Sequence, residues 1–441
     1  MKIIKFGGTS LGTPERMKQV AQIVAHEKAI VVLSAISGVT NQLTEIANFL
    51  HNNEKSLAKE AIEDLKQKHI DYIASLFRDD FFLNKAEDLI HSHFTYISSF
   101  TEDLFTLHEE KSILAQGELL STAIFQLYLE EIQVQSHLLN ALEFMRIDKD
   151  LEPDSFYIQH NLERELSNLE SNLLITQGYI CRNVFGEIDN LKRGGSDYTA
   201  ALIGAAISAD EIEIWTDIDG MHNNDPRIVE NTYSIEHLSY NEAAELAYFG
   251  AKILHPSSVY PAQLKNIPIY IKNTMQPEKE GTKIDGEIGK REFTAVAAKD
   301  GITAIKIVSS RMLLAYGFLR KIFDVFERYK TPIDVVTTSE VAVSLTIDDH
   351  THLDAIYEEL RYLGDVSIHK NLSIVCVVGY FSHESKGSGY KIFDCLDNVP
   401  IRMISYGGSQ HNVSIVIDTQ YKKKTLVALN NGLFNHRENE N

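Results

Sequence analysis

The chain of 441 residues is long enough for two or three domains, and 44% hydrophobic with 24% charged residues is typical of a globular protein. Its 42 lysines and arginines against 62 aspartates and glutamates give a net charge of −20, which argues against binding nucleic acid or an anionic membrane surface. Three cysteines without metal-ligand spacing, no apolar run of membrane-spanning length and no cleavable signal predict a cytoplasmic protein.

The first predicted element is a buried strand at residues 3–6 that runs directly into Gly7-Gly8-Thr9-Ser10. Glycines let backbone amides approach an anion closely, and the two hydroxyl side chains add donors. Thr13 predicts the start of a helix, whose free N–H groups favour negative charge, and Lys5 is close enough to reach the turn. Because the lysine precedes the glycines, this is not a P-loop. Alone, the pattern leaves a phosphate site and an ordinary tight turn equally open.

A second apolar strand, residues 29–34, ends in another turn of small residues between Ser34 and Thr40. Two such units in succession predict an open α/β sheet that is mainly parallel, with ligands beyond the carboxyl ends of its strands. Residues 54 to about 112 have an amphipathic helical period, which we interpret as a helical excursion from the sheet. Glu118 is predicted to begin the next helix, and its position alone favours a helix-dipole role over a pocket carboxylate.

A strand predicted at residues 173–180 leads through a loop to the second strong site signal, Arg193-Gly-Gly-Ser-Asp197, which precedes a helix of small residues. Arginine binds carboxylates bidentately, and a helix start offers free N–H groups. Asp197 also fits as an ordinary first-turn aspartate. Further on, Thr216 and Asp217 end a strand in a way that suits a nucleotide's sugar or base, whereas His255, beside a proline, is interpreted as structural.

The last predicted strand of this half covers residues 267–272, and residues 276–289 are interpreted as a polar linker. Beyond residue 290 the elements become short, and their order predicts two βαββαβ units. Residues 301–370 supply the first unit. The second, residues 371–441, lacks one strand, and we predict that residues 293–299 fill the gap, so that the units are interleaved.

Five motifs resemble those of the aspartokinase family and occur in that family's order. They are Lys5-Phe-Gly-Gly-Thr-Ser10, Arg193-Gly-Gly-Ser-Asp197, Trp215-Thr-Asp217, Asp225-Pro-Arg227 and Phe249-Gly-Ala-Lys-Ile-Leu-His-Pro256. The ordered set is specific, and the resemblance covers essentially the whole chain, including a tandem ACT tail. The helical insert and the segment from Ile333 to Ser344 are most similar to the lysine-sensitive, monofunctional group.

The resemblance implies an amino-acid-kinase fold, a carbamate-kinase-like three-layer α/β/α sandwich, at residues 1–290, followed by two ferredoxin-like (α+β) ACT domains. It also implies transfer of the ATP γ-phosphoryl group to the β-carboxylate of L-aspartate, which gives 4-phospho-L-aspartate and begins lysine, threonine, methionine and isoleucine synthesis. Because a carboxylate is already nucleophilic, catalysis reduces to alignment and charge stabilisation. The implied cofactor is Mg²⁺ carried by ATP phosphates and water, and no residue is predicted as a dedicated metal ligand.

The family's roles fall on matching positions. Lys5 would neutralise the transferring phosphoryl group, and Asp197 would orient Lys5 or the Mg²⁺ shell. The implied nucleotide contacts are Lys5, Gly7, Gly8, Thr9, Ser10, Thr216, Asp217, His222, Arg227, Lys252 and Ile253, with His222 standing where relatives often carry a tyrosine. The implied aspartate contacts are Ser34, Thr40, Glu118, Arg193, Gly194, Gly195 and Ser196. Arg193 would hold the substrate α-carboxylate and Glu118 its ammonium group.

ACT pairs in this family commonly bind an amino acid between subunits, which implies a homodimer formed through the ACT domains. The implied effector site consists of Met312, Ala315, Phe318, Leu319, Ile333, Asp334, Ser339 and Glu340. Its two carboxylates suit a lysine ammonium, so we expect inhibition by lysine. Leu314 and Ala315 replace polar residues of those relatives, which points to a different affinity or effector.

Two alternatives remain. The nearer one is a different kinase of the same fold that acts on glutamate or N-acetylglutamate, although the ACT tail and the Arg193–Asp197 segment count against it. The chain also fits an amino-acid sensor with an inactive kinase domain, against which the intact Lys5, Arg193 and Asp197 argue.

Overall fold

The computed structural model describes most of the chain in two compact units. The described residues are 1–102, 104–167, 169–191, 194–250, 254–289, 291–313, 316–382 and 386–434. The first unit comprises Met1–Met221, Glu236–Tyr240 and Ile253–Glu287, and the second comprises His222–Ile235, Asn241–Lys252 and Ile288–Asn441. No helix within the described residues is both long and apolar enough to span a membrane.

The first unit is built on one large sheet. Its strands are β1 (Lys2–Phe6), β2 (Ala29–Leu33), β3 (His137–Leu139), β4 (Leu173–Gln177), β7 (Ile212–Thr216), β8 (His237–Ser239), β9 (Ile269–Asn273) and β10 (Thr282–Asp285), and a separate hairpin contains β5 (Ile180–Arg182) and β6 (Ile188–Asn190). The eight strands follow the order β3-β4-β2-β1-β7-β9-β10-β8, and every neighbouring pair is parallel except β9 and β10. The predicted mainly parallel α/β sheet is therefore confirmed.

Helices flank this sheet and connect its strands. They are α1 (Pro14–Val24), α2 (Val39–His51), α3 (Lys55–Leu76), α4 (Asp80–Ser99), α5 (Leu107–Glu131), α6 (Ala141–Phe144), α7 (Ser155–Leu166), α8 (Gly195–Ile207), α9 (Tyr240–Tyr248, which runs into the second unit) and α10 (Pro256–Lys265). Thr13 caps α1 as predicted, since its hydroxyl accepts from the Arg16 amide. The apolar faces of α3 and α4 join the core formed by β1 and β2, which explains the amphipathic period of the insert.

Two sequence interpretations of this unit are wrong. The stretch predicted as a linker contains β10, whose alternating Thr282 and Ile284 are fully buried between β9 and β8. The strand predicted to continue to residue 180 ends at Gln177, because Tyr179 adopts a positive φ of 65° and turns the chain.

The second unit contains a six-stranded antiparallel sheet. Its strands are β11 (Ala295–Val308), β12 (Val336–Thr338), β13 (Ala342–Ile347), β14 (Asp365–Val378), β15 (Ile401–Tyr406) and β16 (Asn412–Asp418), in the order β12-β13-β11-β14-β16-β15. Its further helices are α11 (Phe318–Arg328), α12 (Leu353–Leu360), α13 (Ser388–Asp394) and α14 (Lys422–Phe434).

The strand predicted at residues 293–299 and the first strand of the unit predicted at residues 301–370 belong to the single strand β11. Gly301 has a φ of +76° and lies at a register shift between Lys299 and Ile302, so the backbone passes through an irregularity without leaving the sheet. Residues 295–299 pair with residues 374–378 of β14, and residues 302–308 pair with the earlier part of that strand.

The second unit also includes residues 222–235 and 241–252, which lie within the 1–290 segment assigned to the kinase domain. Hydrogen bonds connect these two segments to the rest of the second unit. The Asn224 side chain donates to the Leu426 carbonyl at 3.1 Å, and the Thr294 hydroxyl donates to the buried Glu242 carboxylate at 2.6 Å.

Candidate active site

An ion pair lies at the carboxyl end of β1. The Lys5 Nζ is 2.5 Å from the Asp197 Oδ1, and the two side chains are 11% and 14% exposed. Lys5 belongs to β1, and Asp197 lies in the first turn of α8. Because each buried charge would be costly without its partner, the pair holds both groups in place. The structure thus brings together the two residues predicted as catalytic.

The glycine turn after β1 packs closely against its neighbours. The Gly7 amide donates to the Trp215 carbonyl at 3.3 Å, and a Cβ atom on Gly8 would lie only 2.8 Å from the Ala35 carbonyl oxygen. Alanine at position 8 would therefore displace the neighbouring turn. Ser10 is buried with its hydroxyl 2.8 Å from that of Thr274, so this hydroxyl ties the turn to the end of β9.

Glu118 lies in the middle of α5, so the prediction that it begins a helix is wrong, and a helix-dipole role does not explain it. It is 3% exposed, its Oε1 accepts from the Ala35 amide at 3.3 Å, and its Oε2 has no hydrogen-bond partner among the described residues. Burial raises the pKa of this carboxyl group to about 8. A carboxylate in this situation is suited to receive a cationic group.

Serine side chains connect the elements around Glu118. The Ser34 hydroxyl donates to the Ser196 Oγ at 2.8 Å, and the Ser34 carbonyl accepts from the Ser121 hydroxyl at 2.9 Å. The end of β2 is thereby bonded to α5 and to the start of α8. The turn after β2 therefore brings together three residues predicted to bind aspartate, namely Ser34, Ser196 and Glu118.

Sequence reasoning missed Gly178 and Thr199. A Cβ atom on Gly178 would lie 2.3 Å from that of Ser196, so only glycine lets β4 approach the start of α8 this closely. The Thr199 hydroxyl accepts from the Tyr179 amide at 2.9 Å and fixes the turn that follows. A glycine directly after a buried strand was the available signal for this contact.

Other predicted substrate and nucleotide residues lie at element ends in the first unit. Gly194 and Gly195 have φ values of 74° and 46° at the start of α8, and Thr40 is in the first turn of α2. Thr216 ends β7, and its hydroxyl donates to the Asp217 carboxylate at 3.2 Å. Three further predicted positions, Arg193, Lys252 and Ile253, lie outside the described residues.

His222 and Arg227 belong to the second unit. The His222 Nδ1 is 3.1 Å from the Thr232 hydroxyl, and the Arg227 guanidinium is held by the Asp225 carboxylate at 2.8 Å. Arg227 is largely exposed and is bound to Asp225. A nucleotide phosphate that bound the Arg227 guanidinium would therefore have to displace the Asp225 carboxylate.

The predicted effector residues of the second unit cluster along the chain in two places. Met312, Phe318 and Leu319 lie at and before the start of α11, whereas Ile333 and Asp334 precede β12, and Ser339 and Glu340 form its exposed connection to β13. Phe318 is buried and Leu319 is exposed. Ala315 lies outside the described residues.

Within the described part of the chain, one group of side chains has metal-ligand spacing. It comprises His237, Asp285 and Glu287, on β8 and at the end of β10. The Lys283 ammonium is 2.8 Å from Asp285, and this ion pair with the His237 hydrogen bond lowers the pKa of Asp285 to about 2 against the effect of burial. Asp285 is thus already paired, and two strands separate β10 from Lys5 on β1.

Comparison with known proteins extends this picture. Residues 1–273 match the amino acid kinase family, and residues 375–433 match an ACT domain. The lysine-sensitive aspartokinase 3 of Escherichia coli (strain K12) is 31% identical over 447 residues, which cover 98% of this chain and 99% of that protein.

Two solved structures show the same likeness at 31% identity. The crystal structure of E. coli aspartokinase III with aspartate and ADP (R-state) has a TM-score of 0.87 and covers 98% of this chain and 100% of that chain. The structure of that protein with lysine and aspartate (T-state) has a TM-score of 0.79 and covers 98% and 99%. With its mainly parallel kinase sheet and its ACT domain, the chain belongs to the aspartokinase family.

Proposed function

We propose that this aspartokinase transfers the γ-phosphoryl group of ATP to the β-carboxylate of L-aspartate with Lys5 as its catalytic cation. The observation that carries the assignment is the largely buried ion pair of Lys5 and Asp197 beside the glycine turn. Charge accumulates on the phosphoryl oxygens during transfer, and a desolvated ammonium stabilises it more than water does. Asp197 keeps the ammonium oriented toward this position.

The acceptor carboxylate needs no general base, so the remaining task is to hold it in line. We assign the substrate ammonium to Glu118 and its α-carboxylate to Arg193. The unpaired Oε2 of Glu118 supports the first assignment. Ser34, Ser196 and Thr40 would then offer hydroxyl groups to the same substrate, and the start of α8 at Gly194 and Gly195 would present backbone amides to anionic groups.

For the nucleotide, the Gly8 amide and the Thr9 hydroxyl would contact phosphate at the turn that Gly7 begins, while Thr216 and Asp217 would contact the sugar or base. His222, Arg227, Lys252 and Ile253 complete the proposed set. ATP-dependent kinases use a divalent metal ion, and we propose Mg²⁺. Asp197 offers one carboxylate beside Lys5, which fits an ion that takes most of its ligands from phosphates and water and supplies further charge neutralisation.

Regulation by lysine is part of the proposal. The E. coli relative is described as lysine-sensitive, and a structure of it contains lysine. Here the buried Asp334 carboxylate offers a site for an ammonium group. We further propose the domain boundaries 1–290, 301–370 and 293–299 with 371–441, a homodimer formed by the ACT domains, and a cytoplasmic location, which three free cysteines support.

The test is trapping of the acyl phosphate by hydroxylamine with ATP and L-aspartate, with and without lysine. We expect hydroxamate that lysine suppresses, and a loss of turnover on the order of 100- to 1,000-fold in Lys5→Met, as for loss of a transition-state charge contact. The exposed Lys28→Met is the matched control and should keep full activity.

Each other outcome assigns a different function. Hydroxamate that forms faster with glutamate or N-acetylglutamate would make the chain another kinase of this fold. No hydroxamate with any of these acceptors would leave an amino-acid sensor. Normal turnover in Lys5→Met would remove Lys5 from the catalytic role.

A further inference from the structure

Lys299 of β11 makes three contacts in the second unit. Its Nζ is 2.9 Å from the Asp334 Oδ1, 2.7 Å from the Asp348 Oδ2 and 4.5 Å from the centre of the Tyr248 ring. Two carboxylates and an aromatic face are the groups that recognise a free ammonium ligand. Here the chain's own lysine side chain supplies that ammonium.

The site nevertheless has capacity for a second cation. The Asp334 side chain is 1% exposed, and its Oδ1 also accepts from the Tyr248 hydroxyl at 2.7 Å. Its Oδ2 is buried and has no hydrogen-bond partner among the described residues. An unpaired buried carboxylate oxygen is costly, and two carboxylates against one ammonium leave one negative charge uncompensated.

We infer that Lys299 is a resident competitor in the effector site, so that it sets the affinity for a cationic amino acid. This inference rests on the proposed function in placing lysine at Asp334. A bound lysine would direct one of its ammonium groups to Asp334. That group either displaces the Lys299 ammonium or shares the carboxylate with it. The binding free energy of the effector is then reduced by the cost of breaking the contact between Lys299 and Asp334.

Tyr248 connects Asp334 to α9 and to the segment that follows this helix. It is the last residue of α9, and Lys252, a proposed nucleotide contact, follows four positions later in the sequence. Its hydroxyl is bonded to the same Asp334 oxygen that holds Lys299. A rearrangement of Asp334 around an effector therefore changes the anchorage of the segment that leads to the nucleotide contacts.

The test compares Lys299→Met with Lys306→Met, a change of an exposed lysine on the same strand. Lysine binding is measured by calorimetry on the full chain, and inhibition is measured by hydroxamate formation. Lys299→Met should bind lysine about tenfold more tightly than the natural chain, because no resident ammonium remains to be displaced. Lys306→Met should bind lysine like the natural chain.

Tyr248→Phe is the second variant and keeps the test informative if Lys299→Met does not fold. It should bind lysine but show a lower maximal inhibition at saturation, because the bond from Asp334 to α9 is missing. Equal affinity in Lys299→Met and the natural chain, or full inhibition in Tyr248→Phe, would overturn the inference while leaving lysine regulation intact. No lysine binding by any form, with hydroxamate still produced, would refute both this inference and the proposed effector but not the kinase activity.

Discussion

At the residue scale, two equally buried glutamates of the first unit show how partners decide a charge. Glu118 and Glu213 are each 3% exposed. Burial acts to raise the pKa of both carboxyl groups. At Glu213 the hydrogen bonds from Lys272 and Trp215 outweigh burial, so the pKa of Glu213 is lowered. Among the described residues Glu118 receives a hydrogen bond only from a backbone amide, so its pKa stays near 8. Glu213 has a cationic partner within the protein, Lys272, whereas we propose that a substrate ammonium is the cationic partner of Glu118.

This contrast predicts that L-aspartate binding releases a proton. Below pH 8 the Glu118 carboxyl group is mostly protonated, and a substrate ammonium favours its ionised form. Affinity for aspartate should therefore rise as the pH increases from about 6 to 8, by up to tenfold per unit for a single linked proton. Calorimetry in buffers with different ionisation enthalpies measures the protons released.

Glu118→Gln is the control, since it keeps the size of the side chain and cannot titrate. It should release no proton and bind aspartate weakly at every pH. The folded-state pKa of Glu118 is raised, so the folded natural chain binds more protons than the unfolded one. The free energy of unfolding should thus fall between pH 4.5 and 8 relative to the Gln variant. Identical proton release by both forms would exclude Glu118 from the substrate site.

At the scale of elements, α5 places Glu118 by packing closely on the turn after β2. A Cβ atom on Gly117 would lie 2.9 Å from the Ala35 Cβ and 3.3 Å from the Leu43 Cδ1. Ala35 is also the residue whose amide binds Glu118. The glycine therefore sets the distance between the helix and this turn.

Gly117→Ala should move α5 away from this turn. We expect a higher KM for aspartate with little change in the KM for ATP, and a loss of stability of about 1–3 kcal/mol from overpacking, partly offset by about 1 kcal/mol of helix propensity. Steady-state kinetics and thermal unfolding measure the two effects. Gly408→Ala, which adds a methyl group in open space, should change neither. An unchanged KM for aspartate in Gly117→Ala would show that this packing does not position Glu118.

The sequence was most informative where signals were local. The strand before Gly7, the Thr13 cap and the small-residue helix after Asp197 each depend on neighbours in the chain. It failed where the deciding partner was distant. β10 becomes a strand only because β9 and β8 pair with it, and the start of α5 lies eleven residues before Glu118. The Lys299–Asp334 contact likewise joins β11 to a segment 35 positions away.

At the scale of the whole molecule, the second unit has a helix with two apolar faces. The inner face of α11 is buried on the sheet through Ile322, Val325 and Phe326. On the outer face Phe323 is 40% exposed. Further exposed apolar side chains lie near it in the sequence, before and within α11 and in and after β12, namely Leu313, Tyr316, Leu319, Val336 and Val341. Exposed apolar side chains in this number favour burial against another protein surface, and a second copy of the chain is the partner that we propose.

Phe323→Asp should therefore convert a dimer into a monomer, because burying a carboxylate in an apolar interface is costly. The substitution lies on the outer face, so the fold should survive, as circular dichroism can verify. Sedimentation velocity should show the lower mass, and lysine should inhibit the monomer less if the effector binds between subunits. Phe185→Asp, at a position 83% exposed in the first unit, is the matched control and should remain dimeric. A Phe323→Asp variant that stays dimeric would place the subunit interface elsewhere, whereas a monomer with undiminished lysine inhibition would place the effector site within one subunit.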